Sequence, residues 1–298
     1  MTTSLKELGE NAIIESILPY LTSNDQLIVG AGDDCAVVKH NDDYDLLLKT
    51  DCVVESLHFT PQTSAELVGR KALARTLSDI AAMGGKPTHA LITLFAHEDT
   101  PMNRISELYQ GLNHLAAAHQ VSLAGGETSG LPSPGLIINV MMTGIVPKGS
   151  AVLRSTAKAG DLIAVTGRLG GSFLSGRHLS FEPRLNEGFL LRQFGIATAM
   201  MDLSDGIGTD LPRLAKASGL GFRLDTQSLP LHENCTEKQG LSDGEDYELL
   251  FTLSPEKAAL LQQIQSENFP NTPVTIIGEM TASQEQNSNI AGWQHFKS

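Results

Sequence analysis

The sequence predicts a mixed α/β protein built in two parts. Apolar runs of strand length recur through both halves, and stretches with helical period separate them. A short, polar, Gly-bearing segment, "VPKGSAVLRSTAKAGD", interrupts the pattern near Gly149. The expected domains are therefore residues 1–149 and 150–298.

In chain order, "MTTSLKELGENAIIESIL" reads as an amphipathic helix with acidic residues rather than a signal or transit peptide. "DYDLLLKTD" ends in a strand, and Ala65 to Met83 has the period and Ala/Leu content of a helix. "THALITLF" follows as a strand, Met102 to His119 as a helix, and "VSLAGGE" and "GLIINVMMTGIV" as strands. Beyond the boundary, "DLIAVTG" and "IATAMMD" are strands, and "GTDLPRLAKASG" is a helix closed by Gly219. "GFRLD", "YELLFTL" and "PVTIIGEM" supply further strands, with a helix from about Pro255 to Glu267. "TASQEQNSNI" is polar and reads as a loop before the aromatic end, "GWQHF".

Bulk properties narrow the function classes. The net charge of -13 disfavours nucleic acid or an anionic membrane as the main partner. No run of about 18 apolar residues exists to span a membrane. Three cysteines, Cys35, Cys52 and Cys235, are a sparse, odd set without metal-ligand spacing, which favours a reducing cytoplasm. The sequence has no P-loop, no GxGxxG opening a helix after a strand, and no protein-kinase loop set.

What stands out is acid at the ends of apolar segments. "GAGDDCAVV" carries Asp33 and Asp34, "LLLKTDCVV" carries Asp51, and "LARTLSDIAAMGG" carries Asp79 late in a helix. "LAGGETSG" carries Glu127, and "MMDLSDGIGTDL" carries Asp202, Asp205 and Asp210. One such acid is ordinarily a turn or a cap. Repetition at buried strand ends is costly without counter-charge, and an all-oxygen set with few histidines suits magnesium on a polyphosphate rather than zinc. Glycines beside the acids, such as Gly32, Gly126 and Gly206, let backbone N–H groups approach phosphate. Lys71, Arg75 and Asp79 are spaced by four and share one helix face; a solvated ion-paired face and a phosphate- or metal-facing one both remain open.

The ordered set "GAGDDCAVV", "KTDCVVESLHF", "GRKALARTLSDIAAMGGKPTHALITL", "GGETSG", "VLRSTAKAGD", "FEPRLNEG", "MDLSDGIGTDLPRLAKASGLG", "GEDYELLFTL" and "GWQHF" resembles the thiamine-monophosphate kinase family. That family lies within the superfamily that includes aminoimidazole-ribonucleotide synthetase, and the likeness spans nearly the whole chain. The resemblance implies a two-domain α/β fold, dimeric through N-terminal strands that form a shared barrel. It implies ATP as co-substrate, several Mg2+ ions, and thiamine phosphate as acceptor. By motif position it implies metal ligation by Asp33, Asp34, Thr50, Asp51, Asp79, Glu127, Asp202 and Asp205. Nucleotide contacts fall on Tyr109, Gly126, Glu127, Arg154 and Ser204, with Arg154 also stabilising the transferring group. His58, Glu245 and Trp293 fall where the family contacts the thiamine moiety.

Four departures from the family pattern accompany the match. Glu127 stands for the usual Asp, Lys49 for a small hydroxyl residue and Asp243 for a Gly, and the stretch between Gly167 and Asp202 is short. No general base is expected, because a phosphate acceptor is largely ionised at neutral pH. The alternative is a superfamily member that binds ATP and magnesium but uses another acceptor or has lost turnover. "GEDYEL" sets the chain apart from aminoimidazole-ribonucleotide synthetase itself.

Overall fold

A computed structural model describes residues 5–283. The expected N-terminal helix is divided at Gly9, where φ is 73°, into α1 (Leu5–Leu8) and α2 (Glu10–Ile17). There follow β1 (Leu27–Val29), β2 (Ala36–Lys39), β3 (Tyr44–Val54), α3 (Ala65–Ala82), β4 (Lys86–His97), α4 (Met102–Ala118), β5 (Ser122–Leu131) and β6 (Leu136–Pro147). These strands form one sheet in the order β1-β2-β3-β6-β4-β5. Only β4 and β5 pair in parallel, and α4 supplies the crossover that a parallel pair needs.

Alternation in β6 shows how that sheet is used. Leu136, Ile138, Val140, Met142 and Val146 are buried in the core that α3 and α4 complete, while Ile137, Asn139 and Met141 on the other face are only half-buried. The two helices approach closely because Gly69 of α3 lies against the Leu108 carbonyl and Gly111 of α4 against the Glu66 carbonyl. A Cβ at Gly111 would stand 1.9 Å from that oxygen.

The second half contains β7 (Leu162–Thr166), α5 (Ser172–Ser175), α6 (Leu185–Gln193), β8 (Ala199–Asp202), α7 (Ile207–Ala217), β9 (Gly221–Leu224), α8 (Glu237–Ser242), β10 (Leu249–Leu253), α9 (Ala258–Asn268) and β11 (Val274–Thr281). Its sheet is antiparallel throughout, in the order β8-β10-β7-β11-β9. Helices cover both faces, so β8 and β10 are buried at every position and read as continuous apolar runs. Leu211 and Leu214 of α7 pack with Val165, Met201 and Leu250, and on the other face Leu191, Leu261 and Ile264 pack with Met200 and Phe251. The C-terminal end of α3 joins this second core through Ala81 and Ala82.

Two expected boundaries shift. The strand in "YELLFTL" begins at Leu249 because Tyr247 takes a φ of 51°. The helix expected from Pro255 opens as a 3-10 turn, Pro255–Lys257, before α9. "GWQHF", with Trp293, lies outside the described residues, as does most of "TASQEQNSNI". Among the described residues no helix is long and apolar enough to cross a membrane.

The α3–α4 contact makes a direct prediction. Gly111→Ala lowers the unfolding free energy by about 1–3 kcal/mol in urea titration, although alanine is the better helix former. Gly130→Ala, which meets nothing within 4 Å, stays within about 0.5 kcal/mol.

Candidate active site

Three chain segments converge on one buried corner. Asp34 comes from the turn before β2, Asp79 from the last turn of α3, and Asp202 from the end of β8. Each is at most 5 % exposed, and one oxygen from each lies within 4.8 Å of the others. Burial and the Asp34 charge push Asp202 up to about 6, and burial with the neighbouring acids pushes Asp79 well above the ordinary carboxylate range. Burial, then Asp34, raises Asp33 to about 6.

Cations and donors from both halves answer these acids. Arg154 grips Asp34 through Nε at 3.1 Å and Nη2 at 2.5 Å, and its backbone N–H donates to Asp33 at 3.1 Å. Lys49 Nζ lies 2.6 Å from Asp79 Oδ1, and Ser78 Oγ donates to Asp202 Oδ2 at 2.6 Å. On β3, strand alternation puts Lys49 and Asp51 on the face of buried Leu47 and Val53. Asp51 meets Arg75 Nε at 2.8 Å. The Lys71–Arg75–Asp79 face of α3 therefore points into the protein, as its buried residues require.

An oxygen-only set of three convergent carboxylates, still acid-rich after these pairings, fits a hard divalent cation such as magnesium. Asp205 lies beside the trio on the same cavity wall. Arg213 Nη1 holds it at 2.5 Å and reaches Asp210 at 3.1 Å, and Asp210 in turn accepts the Asp205 N–H at 2.9 Å.

The opposite end is built by two loops laid against each other. The N–H of Glu245 donates to Ser204 O at 2.7 Å, and that of Tyr247 to Leu203 O at 2.8 Å. Glu245 itself holds a φ of 64°, a left-handed conformation that the surroundings must enforce. Its carboxylate takes both oxygens to Lys71 Nζ at 2.8 Å, and the same ammonium donates to His58 O at 2.7 Å. His178 Nδ1 sits between them, 2.7 Å from Lys71 Nζ and 3.0 Å from Glu245 Oε2. Burial alone raises Glu245, but His178 and the Lys71 ammonium outweigh it and hold the carboxyl at about 2. Burial draws Lys71 down to about 8 against the pull of Glu245. His58 is lowered to about 4 by burial and then by Arg75; its Nδ1 accepts the Val54 N–H at 3.0 Å, so its proton sits on Nε2.

A cavity of about 550 Å³ lies between the acid corner and these loops. Leu57, Phe173 and Leu174 give it an apolar lip, and Phe173 stacks on His178 with ring centroids 4.6 Å apart. Of the residues expected at a site, Asp51, His58, Asp79, Arg154, Asp202, Ser204, Asp205 and Glu245 line this one cavity. Asp34 joins through the trio, and Asp33 through the Arg154 backbone.

Others fall elsewhere in the single chain. Thr50 points to the opposite face of the sheet and donates to Asn139 at 3.0 Å. Glu127, on edge strand β5, is exposed beside Thr93 of β4, and neighbouring Gly126 is pressed so close to the Ile92 carbonyl that a Cβ would stand 1.7 Å from it. Tyr109 is on α4, outside the cavity lining. Trp293 is outside the described residues. Sequence reasoning missed Ser78, Phe173, His178, Arg213 and Tyr247. Arg213 was within reach, since it stands one helical turn after Asp210; nothing local marks Phe173 or His178.

The raised acids give stability a pH dependence in metal-free protein. Protonated Asp202 and Asp33 are favoured by the fold, so their contribution is full below the ordinary value of 3.8 and lost as pH rises through about 6. In chelator, the melting temperature therefore rises as pH falls from about 7 to about 5, and Asp202→Asn reduces that slope in a fluorescence melt.

The AIR synthase related protein N-terminal domain matches residues 32–146, and the corresponding C-terminal domain matches residues 158–290. The thiamine-monophosphate kinase of Rhodopirellula baltica is 37% identical, with 89% of each chain covered. That of Bacillus subtilis is 32% identical, covering 97% of this chain and 100% of its own. The solved structure of AaThiL complexed with AMPPCP and TMP is similar at a TM-score of 0.85 and 29% identity, covering 99% of both chains. The thiamine-monophosphate kinase structure from Stenotrophomonas maltophilia gives 0.76 at 28% identity, covering 94% of this chain and 96% of that one. With relatives this similar along nearly its whole length, the chain belongs to the thiamine-monophosphate kinase family.

Proposed function

We propose that this chain transfers the terminal phosphoryl group of ATP to thiamine phosphate, giving thiamine diphosphate and ADP, in the cavity lined by residues of both halves. The observation that carries the reading is the buried Asp34–Asp79–Asp202 trio, matched by cations and opening on that cavity, in a chain of this family. A relative solved with AMPPCP and TMP supports the same pair of ligands here.

Magnesium would be held by the trio, with Asp51 and Asp205 beside it; when bound it would neutralise the crowded phosphates of ATP and the acceptor and orient the terminal phosphoryl group. In the transfer, an oxygen of the acceptor phosphate attacks the terminal phosphorus and the bond to the ADP oxygen breaks. The attacking oxygen is already ionised, so no side chain is assigned as base. Arg154, which lines the cavity while its Nε and Nη2 hold Asp34, is the guanidinium there that suits a transferring phosphoryl group. Ser204 lies at the same wall, just before α7.

The other end suits the organic part of the acceptor. Glu245 stays ionised far below neutral pH, neutral His58 lines the same wall, and Phe173 with Leu57 gives an apolar flank to a flat cationic ring. Trp293 remains part of this reading through the family resemblance. The domain division is placed near Gly149, which puts the cavity at the junction.

A homodimer belongs to the same reading. The open face of the six-stranded sheet carries partly exposed Leu91, Phe95, Ile137 and Met141, and a second copy laid on it would cover them and enclose Thr50 and Glu127. Three free cysteines accord with a cytoplasmic setting.

Incubation with ATP, Mg2+ and thiamine phosphate, resolved by chromatography, tests the activity. Thiamine diphosphate forms in step with ADP, and none forms from free thiamine or without the metal. Asp202→Asn lowers turnover by about 10²-fold or more. Nucleotide binding with no product would favour the reading that turnover has been lost.

A further inference from the structure

Within the acid corner, each carboxylate of the trio has its own partner. Arg154 occupies both oxygens of Asp34, Ser78 donates to one oxygen of Asp202, and Lys49 takes Oδ1 of Asp79. Among the described residues, Lys49 is the one basic side chain paired with Asp79. Its place is fixed by the strand: two residues from Leu47 and two from Asp51, it must share their face and cannot turn to the open side without a register change. Its side chain is 23% exposed, against 7% for that of Asp79, so the ammonium enters the corner from the cavity side.

We propose that Lys49 is a built-in cation of the phosphoryl-transfer site, its ammonium filling a position at Asp79 that a divalent ion would otherwise take. The inference rests on the reading that the trio holds divalent ions, and it goes further by setting how many and how tightly. With all three acids ionised, Arg154 and Lys49 leave the corner one net negative charge. A divalent ion more than compensates that charge, and a second one at Asp79 would have to displace an ammonium 2.6 Å away. A lysine also differs from a metal in kind: it carries a single charge, donates hydrogen bonds rather than accepting lone pairs into a coordination shell, and is not removed by chelator. The corner thereby keeps part of its counter-charge when metal is absent.

Mn2+ binding to the full chain in the presence of a non-hydrolysable ATP analogue, followed by electron paramagnetic resonance of the free ion, tests this without reference to turnover. Lys49→Ser is expected to bind one further Mn2+ per chain, or its weakest Mn2+ about ten- to a hundredfold more tightly. Lys49→Arg, which keeps the charge, is expected to resemble the parent. In chelator, Lys49→Ser melts at lower temperature, and Mg2+ restores it by a larger shift than the parent shows. If Lys49→Ser does not fold, Lys49→Met keeps the stem and gives the same readings. Equal Mn2+ number and affinity in parent and variants would overturn the inference while leaving the metal reading intact, even if the melting temperature falls. No Mn2+ bound by any of them would overturn both.

Discussion

Repulsion among three buried carboxylates is the constraint around which the two halves of this molecule are joined. Asp34 belongs to the first half and Asp202 to the second, and each finds its partner across the junction: Arg154 for Asp34, Ser78 of α3 for Asp202. Helix α3 is the shared element. It closes the core under the six-stranded sheet, lends Ala81 and Ala82 to the core of the second half, and turns Lys71, Arg75 and Asp79 toward the cavity. Taking one partner from a buried pair typically costs about 3–5 kcal/mol. The chemistry of the corner and the joining of the two halves thus depend on the same side chains.

The cavity is divided in the way its proposed substrates are. One end is an acid wall studded with cations, suited to bring two polyanions together through metal. The other is a carboxylate, Glu245, held ionised by Lys71 and His178 and flanked by Phe173 and Leu57. Left-handed backbone at Glu245 and Tyr247 is stored where the organic end of a substrate would be read, and it is paid for by the backbone pairing of that loop with Leu203 and Ser204.

Much of this was legible in the sequence, for reasons that are local. β6 and β10 announce themselves as apolar runs of strand length, and α3 by period. The acids were conspicuous because each follows an apolar segment, and spacing by four on α3 put Lys71, Arg75 and Asp79 on one face. What local pattern cannot carry is pairing across the chain. That Lys71 serves Glu245, 174 residues away, is decided by tertiary packing. His178 comes from a 3-10 turn in an irregular segment, with no period to mark it. Thr50 sits beside Asp51 in sequence yet on the opposite face of the sheet, since adjacent strand residues point to opposite sides.

Where divalent ions bind when nucleotide is present is the most direct test of the acid corner. Anomalous scattering from crystals grown with Mn2+ and a non-hydrolysable ATP analogue measures that position. A peak is expected within coordination distance of Asp34, Asp79 and Asp202, touching the phosphates of a nucleotide in the same cavity. A bound nucleotide whose phosphates and metal lie away from those three carboxylates would contradict that expectation.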